Sequence, residues 1–333
     1  MKRLLRVLDQ FWFPEAPPAR LGVLRVLVGI YAFCLVAGNY AKWVKIGRTS
    51  PALFAPVGPV TLLSRPLPPV VSQALIVAAL VANILFLLGW RHRFTGPAFA
   101  ALLLWVISYR LSWSMIYHSM HLTALHVLIL GLAPAADALS LDARRLSAAK
   151  GRQEPTSALH AVAEHYAARP AWQYGFPIQL ICAVTVLAYF VTGMAKVAGP
   201  LGSLWVTGEA LRSQVAADAL RKEVLGDAGS PLFYRLYHQV WLFAMMGVMT
   251  LAVELGAPLA LLNKRLGQLW AIGAFFMHWG ILFVMAIEFR YHLSGILYAS
   301  FFDVERPLTW MRGLHDRRTA QVVAVNPPHP EVV

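Results

Sequence analysis

The sequence predicts an all-α protein, a polytopic bundle of about eight transmembrane helices. Three observations lead there. Of 333 residues, 58% are hydrophobic and only 14% charged, well outside the composition of soluble domains. Apolar runs of roughly 20 residues, the length that crosses ~30 Å of hydrocarbon, recur along the chain. Strand-type alternation is absent, which leaves helices to satisfy the backbone in lipid.

The formal net charge of +13 does not point to nucleic acid. Basic residues sit between apolar runs and form no stripe with interleaved aromatics, so they read as topology signals and lipid-headgroup contacts. Cys34 and Cys182 each lie alone in an apolar run. That excludes a disulfide framework or a paired-cysteine redox or zinc site and leaves two small core residues.

Residues 1–20, "MKRLLRVLDQFWFPEAPPAR", mix bases with Phe11, Trp12 and Phe13 ahead of a proline pair, the pattern of an interfacial amphipathic helix followed by a break. The first apolar stretch is too long for a signal-peptide core and has no small-residue cleavage site, so it is expected to stay in the protein. The expected spans are 21–41, 69–90, 94–113, 119–135, 175–195, 237–262, 267–288 and a shorter one at 291–303. Together, 21–305 form the transmembrane domain, and 306–333, ending "NPPHPEVV", read as a cytoplasmic tail. The segment "GEALRSQVAADALRKEV" has helical charge spacing and is expected to lie as an amphipathic helix over the extracytoplasmic mouth.

Positive charge suggests an orientation. The amino terminus, the "RHR" turn at 91–93, the loop with Arg144 and Arg145, the "NKR" turn at 263–265 and the tail fall on one side, with Lys42, Lys45 and Arg48 opposed. The basic side is expected to be cytoplasmic. An even number of spans then puts both termini in the cytoplasm of a multi-pass protein of the bacterial inner membrane.

Ionisable groups at membrane depth hold the functional information, because a charge in hydrocarbon is costly unless it is paired or faces a cavity. Arg25 in "LGVLRVLVG" sits one turn into its span and either snorkels to headgroups or faces a polar cavity. Arg110 in "SYRLSW" lies near a span end, as an interface residue does. His118 and His121 in "SMIYHSMHL" are three apart on one helical face. No carboxylate or cysteine nearby completes a ligand set, so no metal is expected and the pair reads as the lining of a polar cavity. Glu254 in "TLAVELGAPLALL" has no base within a turn and needs a partner on another helix. His278 in "FFMHWG" is the expected partner, whether in a site or as polar glue between helices. Lys196, closing "AYFVTGMAK", is either an interface anchor or a base.

In order and spacing, "LGVLRVLVG", "YHSMHL", "YFVTGMAK", "VELGAPLALL" and "FFMHWG" resemble the HTTM domain, the membrane domain shared with vitamin K-dependent γ-glutamyl carboxylase. The resemblance spans about 18–305. It implies that Lys196 is the base that deprotonates a reduced, vitamin K-like quinone, that His118 or its neighbour His121 is the active-site histidine, and that Glu254 is the family's intramembrane carboxylate. The implied activity is carbon–carbon chemistry of the lyase or ligase type coupled to quinol oxidation. The charge-free run from Pro170 to Ala195 favours an uncharged amine at Lys196 by desolvation, and Gly193 allows a neighbouring group close approach. The chain lacks a counterpart of the large extracytoplasmic region of the carboxylases, and its lysine-to-tryptophan spacing, Lys196 to Trp205, is longer, so the expectation does not extend to protein glutamate carboxylation.

Two readings therefore compete. One is a quinone- or lipid-handling membrane enzyme using Lys196 and His118, with His121, Glu254, His278 and Arg25 around the cavity. The other is a non-catalytic membrane scaffold or assembly factor that keeps the fold. A transporter is disfavoured, since there is no inverted repeat or pair of broken helices.

Overall fold

A computed structural model describes residues 2–113, 120–149 and 170–307. Apart from one isolated bridge between Ala16 and Ala171, the described residues are helices and their connections. Among the described residues five helices are long and apolar enough to cross a membrane, and two shorter helices are apolar. The chain is an all-α integral membrane protein.

Contacts divide it into two compact units, Met1–Ser114 with Val127–Ile178 and Asp303–Val333, and Met115–His126 with Gln179–Phe302. The first unit opens with α1 (Lys2–Trp12), on which Leu5, Val7 and Leu8 are exposed. Proline then breaks the chain, and α2 (Pro18–Gly38) starts on Pro18, where the missing N–H costs nothing. A short α3 (Tyr40–Ile46) and two 3-10 turns lead to α4 (Pro69–Leu88), which also starts on a proline. Asp142, at the start of α7 (Leu141–Ala149), caps α5 (His92–Leu111) from a distance: its carboxylate accepts from Arg91 N at 2.8 Å and His92 N at 2.7 Å. The fourth expected span is represented among the described residues by α6 (His121–Leu132). α8 (Trp172–Ala198) is the longest helix at 27 residues. Its first turn packs against the break after α1, with Phe13 stacked on Phe176 at 5.3 Å and edge-on to Trp172.

In the second unit the chain leaves α8 through a cap outside the long spans, made of α9 (Leu204–Thr207), α10 (Glu209–Val224) and α11 (Pro231–Leu236). The expected amphipathic helix is α10. It buries Val215 and Ala219 with Phe233, Phe243 and Val284 in a closed apolar cluster. Lys222 donates to the Met285 carbonyl at 2.5 Å, covering the end of α13 (Lys264–Met285). The expected span at 237–262 is represented by the shorter apolar helix α12 (Val240–Leu255), continued by the 3-10 turn Ala257–Leu261.

The eighth expected span is not a helix of spanning length. Residues 291–303 hold the end of α14 (Arg290–Leu293), then Gly295 at φ 74°, then a 3-10 turn, Ile296–Phe301. Gly295 occupies the left-handed region that stops an α-helix. Among the described residues the expected count of eight spanning helices is not reached. The expected tail lies outside the described residues from 308 onward.

Candidate functional site

One face of α8 in the second unit gathers the chemistry. Thr185, Tyr189, Gly193 and Lys196 follow one another at intervals of four, four and three residues, a single helical stripe. The stripe ends on an ion pair. Lys196 Nζ lies 2.5 Å and 2.7 Å from the two carboxylate oxygens of Glu254, on the last turn of α12. Both side chains are largely removed from solvent, 18% and 7% exposed. The indole of Trp205, itself buried, lies with its ring centre 5.2 Å from Nζ, within cation–π range.

Gly193 makes the pair possible. A Cβ there would stand 2.8 Å from Glu254 Cβ and 3.1 Å from Leu255 N, so only glycine lets α12 come this close to α8. The close approach expected at Gly193 is thus made by the helix that bears Glu254. The expected Glu254–His278 pair is not made, because the carboxylate is taken by Lys196. The lysine has no carboxylate on its own helix, and the one it meets lies 58 residues away in sequence.

His278 belongs to a second polar group deeper along the same stripe. Its Nδ1 is 2.9 Å from the Ala274 carbonyl, which can only accept, so the proton sits on Nδ1 and Nε2 keeps a lone pair. The phenol oxygens of Tyr189 and Tyr298 are 2.6 Å apart and lie 3.2 Å and 3.3 Å from the same Nδ1. The His292 ring stacks on His278 at 4.1 Å between centres.

His126, fully buried on α6, forms a third group. The Thr185 hydroxyl donates to Ile181 O at 2.8 Å and so accepts from His126 Nε2, at 3.0 Å. His126 Nδ1 is then left to accept from the Tyr291 hydroxyl at 2.8 Å. Every polar atom of this imidazole is satisfied in its neutral form, as a buried structural histidine requires.

The other expected site residues lie elsewhere. His118 falls outside the described residues, and His121 is the exposed first residue of α6. Arg25, in the first unit, neither snorkels nor faces a cavity. Completely buried, it donates to Ala135 O at 3.0 Å, Phe86 O at 2.5 Å, Leu87 O at 2.8 Å and Leu139 O at 2.6 Å. It closes the carboxyl end of α4, whose last carbonyls have no partner in the helix. Among the described residues no group of three or more His, Cys, Asp or Glu is placed to hold a metal.

Sequence reading missed Tyr189, Tyr291, Tyr298, Thr185 and Trp270. The signal for the first and fourth was available in their spacing from Lys196 along α8. No family model, curated protein or solved structure matches this chain.

Proposed function

We propose that this integral membrane protein is a quinone- or lipid-handling enzyme of the carboxylase-like class, with the Lys196–Glu254 pair as its proton acceptor. The observation that supports this most is a paired amine and carboxylate at the end of a span, roofed by an indole. Charges held this far from water act on a bound group more strongly than in solution. The pair shares a proton between Nζ and the carboxylate. Taking one more from a substrate hydroxyl leaves an ammonium and a carboxylic acid, with the new oxyanion beside a net positive charge.

The residues present suit a reduced quinone. Two carboxylate oxygens keep lone pairs beyond those facing Nζ, Trp205 offers a flat apolar face, and Val191, Met194 and Val197, exposed by 56%, 45% and 46%, give an apolar approach beside the lysine. When bound, such a group supplies the ionisable hydroxyl and the reducing equivalents that the resemblance couples to carbon–carbon bond formation. Lys196 and Glu254 hold and move the proton, and Trp205 excludes water from Nζ. His118 keeps the role that the resemblance implies for it. The membrane we infer is the bacterial inner membrane, with the basic turns at 91–93 and 263–265 on the cytoplasmic face.

The same bidentate pair supports the alternative of a non-catalytic scaffold, since it also ties α8 to α12 as polar glue does. One experiment separates the two. Purified protein is extracted for bound quinone and, reconstituted, is given a reduced naphthoquinone under air while its consumption is followed. The enzyme reading expects co-purified quinone, turnover by the wild type and none by Lys196→Arg, whose guanidinium does not release its proton. Absence of both quinone and turnover leaves the scaffold, whereas full turnover by the arginine variant overturns Lys196 as part of the proton acceptor.

A further inference from the structure

We propose that Trp270 is a positioning residue that sets the strength of the Lys196–Glu254 pair by fixing the last turn of α12. The inference rests on the reading of that pair as the reactive group.

Glu254 sits where a helix is least able to hold a side chain. α12 ends at Leu255, and carbonyls in a helix's last turn lack their usual partners, so that turn frays unless something outside binds it. Trp270 supplies the outside contact. Its indole Nε1–H donates to the carbonyl of Val253 at 2.9 Å. That carbonyl belongs to the peptide unit leading directly into Glu254, so the bond fixes the plane from which the carboxylate is aimed.

The indole is itself held in place. Its ring meets Tyr189 edge-on at 5.0 Å, with Phe301 at 5.4 Å and Tyr298 at 6.3 Å between centres. Tyr189 stands on the stripe of α8 that carries Lys196, two helical turns earlier. Trp270 therefore touches both sides of the pair's framework, the lysine's helix through Tyr189 and the glutamate's peptide through Val253. From the opposite side, Gly193 brings α8 against Glu254. Without the indole N–H the carboxylate is free to withdraw from Nζ. With the indole N–H in place, it is held at two short contacts.

The test reads the amine directly and needs no substrate. The full chain in detergent is treated with an amine-acylating reagent near neutral pH, and labelling of Lys196 is timed by mass spectrometry against Lys42 and Lys45. An amine held at two short contacts by a carboxylate is hindered from attacking the reagent, and release of that contact frees it to react. Glu254→Gln is expected to raise Lys196 labelling about tenfold. Trp270→Phe keeps an aromatic ring and loses the donor, and it is expected to raise labelling several-fold in the wild type but not further in Glu254→Gln. Benzothienylalanine at 270 keeps the bicyclic shape without the N–H and is expected to match Trp270→Phe. This separates the hydrogen bond from packing even if the phenylalanine variant folds poorly.

Unchanged labelling in both Trp270 variants overturns the inference. So does an increase of equal size with and without Glu254, which would mean that Trp270 does not act through the carboxylate. If Glu254→Gln itself leaves Lys196 labelling unchanged, the pair is not what governs the amine, and the functional reading falls before the role of Trp270 is reached.

Discussion

Replacing Arg25 tests whether a buried guanidinium in this bundle holds structure or a ligand. Arg25→Met keeps the aliphatic stem and removes the fork of donors. Four hydrogen bonds disappear, to Phe86, Leu87, Ala135 and Leu139. Each bond from a charged donor is worth about 1.5–3 kcal/mol. Their sum overstates the loss, because the variant no longer has to bury a charge, which costs several kcal/mol. The Phe86 carbonyl also keeps the Gly89 N–H at 3.1 Å. The balance comes to about 3–5 kcal/mol, because buried carbonyls that lose their donor cost about 1–3 kcal/mol each. Arg25→Lys is expected to lose roughly 2–3 kcal/mol, since a single ammonium cannot reach carbonyls contributed by separate segments. The measurement is chemical or thermal unfolding in a fixed detergent. A loss below about 0.5 kcal/mol for Arg25→Met refutes the reasoning, as does weaker quinone binding with stability intact.

Gly193→Ala places a methyl 2.8 Å from Glu254 Cβ and is expected to destabilise the protein by about 1–3 kcal/mol, read as a lower unfolding temperature. An unchanged transition would show that the two helices are not in contact there. His126→Phe removes the hydrogen bonds to Tyr291 and Thr185 and is expected to cost about 1–3 kcal/mol in the same assay. In the cap, burial alone would raise the Asp218 carboxyl, but hydrogen bonds and charge from Lys222 and Arg221 bring it below its ordinary value of 3.8. A carboxyl lowered on folding contributes stability above its unfolded value and loses it as pH falls through the folded one. The protection of α10 amides relative to their intrinsic exchange rates is therefore expected to fall as pH drops below about 4, and Asp218→Asn is expected to abolish that dependence.

The sequence made the class of fold and most helix positions legible, because apolar length and proline starts are local signals. Partners were not. Lys196 meets Glu254 across 58 residues and His126 meets Tyr291 across 165, and in a helix apolar on every side nothing local says which face turns inward. The eighth expected span fails for a local reason: "YHLSG" puts polar residues and a glycine at the start of a run already too short. Gly193 was legible because a glycine one turn before a membrane lysine has few other reasons to be there. The carboxylate it admits was not.

At a rise of 1.5 Å per residue, the 27 residues of α8 extend for about 40 Å, against ~30 Å of hydrocarbon. A rod that long either leans or projects. Lys196 lies 24 residues beyond Trp172, about 36 Å along the axis, so its depth depends on the thickness of the lipid around it. Short-chain lipids lift the ammonium and its carboxylate toward headgroups and water, and long-chain lipids draw them into oil. The protein thus has the Lys196–Glu254 pair mounted on a lever whose fulcrum is the bilayer, and acyl-chain length becomes a physical control on how much water reaches it.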